Sequence, residues 1–255
     1  MPNFTEGLPK LDYLDETAVP RVAVNTPFGE LKFHMYGQYT EFRIRTLLTK
    51  EPETVTWISE MNPGEELWDI GANTGIYSLL AGIRGVSVCA FEPSPTNFWL
   101  LNQNAALNEK VRIRFLPLVI ADSTGLVPFD VDLTPAAAGV NQIGKSFLLT
   151  VVPSFSLDDL CKSNLMRSPQ HLKIDVDGIE LEILRGSRSL LQSRCVQSVM
   201  CEVDESDVST TSSIHALLTS AGFDSVTTRF PPYFEDNYYL PQANHLFPRT
   251  ARYVP

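Results

Sequence analysis

Two stretches of the chain bring carboxylates, glycines and a lysine together at spacings that could do chemistry. In LWDIGANTGIYS, Asp69, Gly71, Asn73 and Gly75 fall where an apolar run gives way to a helical one. A glycine at such a turn lets backbone N–H groups approach a ligand, and one at the helix start lets helix and strand pack closely. Glu92 ends the next apolar run, twenty-one positions after Gly71. At about that distance an acidic side chain can accept both hydroxyls of a ribose. The second stretch, HLKIDVDGIELEILRG, gathers Lys173, Asp175, Asp177 and Glu180 at the end of a short apolar run.

A dinucleotide needs G-x-G-x-x-G, so that its pyrophosphate can lie against bare backbone at a helix N-terminus. Here Asn73 stands for the middle glycine, and Asp69 adds an acid. An acid is unhelpful beside a pyrophosphate and helpful beside a cation, so S-adenosylmethionine, with its sulfonium and ammonium, fits better. A nicotinamide-dependent oxidoreductase is the competing enzyme class, and a ligand-free tight turn is the plain structural alternative.

The elements must then bring the two stretches together. From Glu65 onward strand and helix alternate, which argues for parallel β-α-β units in a doubly wound α/β sheet. ELWDI, VSVCAFE, VRIRFLPLVIAD, HLKID and SVMCEVD read as strands, and Ser94-Pro95 and Ser156 with Asp159 as helix starts. SVTTRF and NYYLP read as a closing antiparallel pair. Before Glu65, residues 1–64 form an extension with a hairpin turning at Pro27-Phe28-Gly29 and two helices, the second opened by Pro52; residues 65–255 form the main domain.

Ligands of an open parallel sheet bind beyond the carboxyl ends of its strands, where strand order reverses. If HLKID lies beside ELWDI there, Asp175 emerges next to the reacting group, as the base that accepts an acceptor's proton or as its orienter. Lys173 could pair with it or with Glu180; alternatively Lys173 and Glu180 form a structural ion pair, and Asp177 with Gly178 shapes the turn and caps the next helix. His245, one of four scattered histidines, is an alternative base. Glu202 and Asp204 could join Asp175 around Mg²⁺, although nothing in the sequence requires a metal. Tyr36, Tyr39, Phe42, Tyr233, Phe234 and the unpatterned segment 133–144 are candidates for the substrate pocket.

The totals agree with a globular enzyme. The 255 residues are 44% hydrophobic, and 20 basic against 30 acidic residues give a formal charge of −10. Such a surface repels polyanions, so a nucleic-acid partner is not expected. Four cysteines without metal spacing read as reduced thiols. The absence of an apolar leader or of a run approaching about 20 apolar residues points to a cytoplasmic protein with no membrane span. Oligomeric state is not written in the sequence.

LWDIGANTGIYSLLA, AFEPSPTNFWLLNQNAALN, PSFSLDDL and LKIDVDGIELEILRGSRSLL, in that order and spacing, resemble the FkbM family of S-adenosylmethionine-dependent methyltransferases. The resemblance covers residues 65 to 205. It implies the class I methyltransferase fold, a Rossmann-like sheet of seven strands with the last antiparallel, and O-methylation of a hydroxyl on a saccharide, glycan or secondary metabolite. Carried over by position, Asp69, Gly71, Asn73 and Gly75 would surround the methionine part of the cofactor and Glu92 would hold its ribose. Asn97 would support that loop, and Asp122 would reach the adenine edge. The family more often has glutamate where Asp177 stands, which puts in doubt any role needing reach. A catalytically silent cofactor-binding scaffold is the remaining alternative.

Overall fold

The computed structural model describes residues 19–130, 149–163, 165–224, 226–227 and 242–249. The expected hairpin pairs β1 (Arg21–Thr26) with β2 (Gly29–His34), and Thr26 Oγ1 donates to Gly29 O across its turn at 2.6 Å. α1 (Gln38–Arg45) and α2 (Pro52–Glu60) follow, with Pro52 in the first helical turn, where its fixed φ and missing N–H cost nothing. Leu31, Phe33, Ile44, Trp57 and Ile58 from these elements bury one apolar layer with Leu67, Leu80, Val88 and Met200. That layer turns the N-terminal segment into a cover over one face of the main sheet.

Strand and helix then alternate through β3 (Glu66–Ile70), α3 (Ile76–Ile83), β4 (Ser87–Phe91), α4 (Pro95–Ala106) and β5 (Ile113–Leu116). The run expected as a single third strand breaks at Pro117. Proline has no N–H for the ladder, and Leu118 N turns back to donate to Leu116 O at 3.0 Å. The remainder, β6 (Val119–Ile120), joins a separate small sheet, in which it and β7 (Gly125–Asp130) flank β8 (Leu149–Phe155).

α5 (Leu157–Lys162) is capped as expected, Asp159 N donating to Ser156 Oγ at 3.2 Å. β9 (His171–Ile174), α6 (Glu180–Arg185), α7 (Arg188–Gln192), β10 (Ser198–Asp204), α8 (Val208–Ser220), β11 (Val226–Thr227) and β12 (Gln242–Pro248) complete the described elements. The main sheet has seven strands in the order β11-β12-β10-β9-β3-β4-β5. β12 runs antiparallel to both its neighbours, whereas β10, β9, β3, β4 and β5 are parallel. The antiparallel strand is therefore QANHLFP. NYYLP lies outside the described residues, as do segment 133–144, Tyr233 and Phe234. No helix among the described residues is long and apolar enough to cross a membrane.

Strand order reverses between β3 and β9. From β3 the chain moves outward to β4 and β5, and from β9 it moves the other way to β10. The carboxyl ends of β3 and β9 thus frame the crevice where the sequence argument needed them to meet.

Candidate active site

Pairing of β3 with β9 sets Asp69 opposite Lys173 and Ile70 opposite Ile174, and Asp175 N continues the ladder by donating to Ile70 O at 3.1 Å. Side chains alternate across a sheet. Ile70 and Ile174 enter the core shared with α5, α6, α7 and α8, while Asp69 and Lys173 face α3, where Ser78 and Tyr77 meet them.

Gly71 leaves the end of β3 at φ 83°. A Cβ there would overlap the carbonyl oxygen of Asp175, so the missing side chain is what lets the turn touch the tip of β9. Asn73 also takes a left-handed conformation, at φ 52°. It is held by its own N–H, which donates to Glu92 Oε2 at 2.8 Å, and by its Oδ1, which accepts from Thr74 N at 2.9 Å. Gly75 precedes α3 at φ 84°, and a Cβ on it would strike Leu101 of α4.

Glu92 is buried just beyond β4 and is tied down from three sides. Besides Asn73 N it accepts from Ser94 N at 2.9 Å and from the Asn97 side chain. Burial pushes its carboxyl up to about 7, against the pull of those three donors. Ser94 precedes α4 as the Ser-Pro pair suggested, but its hydroxyl makes no cap bond; it serves Glu92 through its backbone instead.

Asp69 is 2% exposed. Its Oδ2 accepts from Ser78 Oγ at 2.5 Å, and its Oδ1 has no hydrogen-bond partner. Burial raises its carboxyl, with Lys173 and Ser78 opposing. Lys173, 2% exposed, forms an ion pair with Asp175 and lies 5.4 Å from the centre of the Tyr77 ring. Burial alone would strip its proton; the charges of Asp175, Glu51 and Asp69 outweigh that and hold the ammonium. For Asp175 burial likewise opposes ionisation, and Lys173, then Lys50 and Arg43, overcome it and keep the carboxyl well below its ordinary range. Lys173 therefore pairs with Asp175 and not with Glu180, whose Oε1 accepts from Gly178 N at 3.1 Å.

Asp69, Gly71, Asn73, Lys173 and Asp175 line one pocket. Ala72, Ile76 and Tyr77, with Arg43, Thr46 and Lys50 from the end of α1 and the residues just after it, complete the lining. Arg43, Lys50 and Tyr77 were not foreseen. Tyr77 could have been, because it follows the glycine turn by two residues; the two cations carry no mark in the sequence beyond their charge.

Other expected residues stand elsewhere. Asp122 follows β6, is exposed, and accepts from Ser123 Oγ at 2.8 Å. His245 pairs with Cys201 across β12 and β10, on the face opposite Lys173, and its Nδ1 lies 2.8 Å from His215 Nε2 of α8. Asp177 is exposed and caps nothing: Ile179 is the residue before α6, and no side chain caps that helix. Asp204 is exposed and accepts from Ser206 N and Oγ in a turn. Glu202 is half-buried, and the Asp175 charge, with burial, raises its carboxyl well above the usual range. Among the described residues no three of His, Cys, Asp and Glu are placed to hold a metal ion.

Residues 69–225, which hold both the glycine turn and the tip of β9, match the family model of the methyltransferase FkbM domain. The chain belongs to the FkbM family. It is 31% identical over 165 residues to the hexuronic acid methyltransferase AglP of Haloferax volcanii, covering 64% of this chain and 65% of that protein. It is 28% identical to the 31-O-demethyl-FK506 methyltransferase FkbM of Streptomyces tacrolimicus, covering 80% of this chain and 90% of that one. A structure of methyltransferase FkbM from Methylobacillus flagellatus superposes with a TM-score of 0.53 at 17% identity, over 84% of this chain and 55% of that one. The chain thus spans just over half the length of that solved relative and about two thirds of AglP. The FkbM-family sheet described above is the class I methyltransferase fold.

Proposed function

We propose that this FkbM-family chain is an S-adenosylmethionine-dependent O-methyltransferase acting on a hydroxyl of a saccharide, glycan or secondary metabolite. One observation carries the reading: the glycine turn and the tip of β9 share a pocket, and Asp69, which lines it, has a buried carboxylate oxygen without a hydrogen-bond partner. A buried carboxylate oxygen without a donor is costly unless a ligand supplies one. The cofactor's ammonium would do so. Gly71 and Asn73 would bring backbone against its methionine part, with Gly75 fixing the start of α3. Glu92 would accept from the ribose hydroxyls while Asn97 braces it. A pyrophosphate in the same place would face Asp69, which argues against a dinucleotide. Asp122, exposed and bonded to its neighbour Ser123, is left out of this set, whereas Glu92, itself outside the pocket lining, is tied to it through Asn73 N.

S-adenosylmethionine supplies a methyl group made electrophilic by its sulfonium. The chain's task is to hold an acceptor oxygen in line with it, about 3 to 3.5 Å away. Asp175 is suited to this. Proton abstraction improves with basicity, so a carboxylate held so low by Lys173 is a weak base, but it stays ionised and can accept a charge-assisted hydrogen bond from the hydroxyl. It orients the hydroxyl, and Lys173 fixes the carboxylate in turn. His245, on the other face of the sheet, takes no part.

The hexuronic acid methyltransferase and the 31-O-demethyl-FK506 methyltransferase support a saccharide or secondary-metabolite acceptor here. So does an exposed aromatic on α1: Tyr39 lies one helical turn before Arg43, which lines the pocket. Calorimetry tests the cofactor: S-adenosylhomocysteine is expected to bind and NAD not to. A chain that takes up NAD and ignores S-adenosylhomocysteine would overturn the proposal.

A further inference from the structure

We infer that Asn104 is a positioning residue that couples the glycine turn to the N-terminal cover, so that filling the cofactor site also fixes the side of the pocket that the cover supplies. This rests on the cofactor placement proposed above.

An asparagine in a helix interior is poorly placed, because its short amide competes with the backbone and needs partners once it is buried. Asn104 lies within α4 and is 2% exposed. Both ends of its amide are taken, and by different parts of the molecule. Its Oδ1 accepts from His34 N of β2 at 2.9 Å, and its Nδ2 donates to Thr74 O at 2.9 Å. Thr74 follows Asn73 in the glycine turn, and its own N–H goes to Asn73 Oδ1. Glu92 thus pins the turn from the end of β4, and Asn104 pins it from the helix that comes next.

The other side of the link is as definite. β2 pairs with β1 along one edge and offers the opposite edge to α4. There Lys32 N donates to Asn108 Oδ1 at 2.9 Å, just as His34 N does to Asn104. Two strand residues span about 6.6 Å and four helical residues about 6 Å, so asparagines four apart meet alternate N–H groups of a strand laid alongside. Asn108 Nδ2 donates to Lys32 O and to Asn104 O, both at 2.7 Å; it grips the cover without bonding to the glycine turn. Shortly after His34 the chain enters α1, which brings Arg43 to the pocket lining, with Thr46 and Lys50 just beyond. A cofactor that steadies the turn therefore steadies β2 through one amide group. Such coupling is reciprocal: the factor by which the cofactor orders β2 is the factor by which an ordered β2 tightens the cofactor.

Amide exchange read residue by residue by NMR tests this in the unmodified chain. Saturating S-adenosylhomocysteine is expected to slow exchange at His34 N about tenfold, the worth of one buried hydrogen bond. Asn104→Ala should remove that protection and weaken S-adenosylhomocysteine binding by a similar factor. Asn108→Ala loosens the same strand without reaching the turn, so it should leave S-adenosylhomocysteine affinity within about threefold. The contrast separates coupling from plain support of the fold, which both variants would lose alike. Thermal melts check that each variant is folded; if Asn104→Ala is not, the exchange measurement on the unmodified chain decides alone. Unchanged exchange at His34 N on saturation overturns the inference, and so does an equal loss of affinity in the two variants, while either leaves the cofactor reading intact. If S-adenosylhomocysteine does not bind the unmodified chain, both fall together.

Discussion

Glu92 is a carboxyl whose ordinary job, accepting hydrogen bonds, conflicts with its burial. Its folded pKa of about 7 means that much of the free protein carries a proton there at neutral pH. Ribose hydroxyls donate to the ionised form, so binding of the cofactor must favour loss of that proton. S-adenosylhomocysteine affinity should therefore fall as pH drops below about 7, and binding near neutrality should release a proton. Calorimetry in buffers of different ionisation enthalpy reads that release. Glu92→Gln should remove the pH dependence and weaken binding at pH 8 by about 1.5 to 3 kcal/mol, the worth of hydrogen bonds to a charged group. A pH-independent affinity in the unmodified chain would contradict the ribose assignment. Asp175 makes the opposite case, since Lys173 keeps it ionised across the working range. Asp175→Asn should lower the methyl-transfer rate about 10²-fold or more while S-adenosylhomocysteine affinity changes little, because it removes an orienting acceptor and not a cofactor contact. An Asp175→Asn chain with unchanged single-turnover rate would remove the residue from the chemistry.

At the scale of elements, the site exists because two strands distant in sequence end side by side and a glycine turn presses on the join. Gly71→Ala should separate them: the added Cβ meets the Asp175 carbonyl, a backbone atom that cannot swing away, and alanine at φ 83° adds strain of about 1 to 3 kcal/mol. Urea denaturation should show a loss beyond that figure, and S-adenosylhomocysteine binding should be lost in whatever remains folded. A Gly71→Ala chain of unmodified stability and affinity would show that the turn does not need the contact. Much of this was legible beforehand, because β3, α3, β4 and α4 are written in local signals: a continuous apolar run, a glycine turn, Pro95 behind Ser94. Lys173 and Asp175 could be placed from the rule that ligands gather at a strand-order reversal. What escaped depends on partners far along the chain. The small sheet of β6, β7 and β8 draws a two-residue strand away from β5 at Pro117. β12 sits between β10 and β11, with β11 the earlier in sequence. Arg43 and Lys50 reach the pocket only because the apolar layer under α1 and α2 docks them there.

For the whole molecule the notable feature is an inversion of charge. The chain carries a formal −10, yet Lys173, the one lysine or arginine buried among the described residues, is enclosed with Asp69, Asp175 and Glu51 within reach of its charge. Removing one member of a buried ion pair leaves the others uncompensated, at a cost of about 3 to 5 kcal/mol. Lys173→Met keeps the side chain's bulk and deletes the charge, so its loss should be electrostatic and should depend on pH. In the unmodified chain the ammonium opposes the burial that drives the Asp69 and Asp175 pKa values up. Without it burial drives the Asp69 carboxyl higher still, and Asp175 moves up from its depressed value with only Lys50 and Arg43 left to oppose its burial. A carboxyl with a raised folded pKa favours folding below its unfolded pKa, and that contribution is lost as pH rises through the folded value. Lys173→Met should thus be clearly more stable at pH 5 than at pH 8, whereas in the unmodified chain the depressed pKa of Asp175 contributes its full stabilisation at both. Denaturation at the two pH values measures the difference directly. An equal loss at both would mean that Lys173 acts through packing against Tyr77, and that the carboxylates around it are screened by solvent.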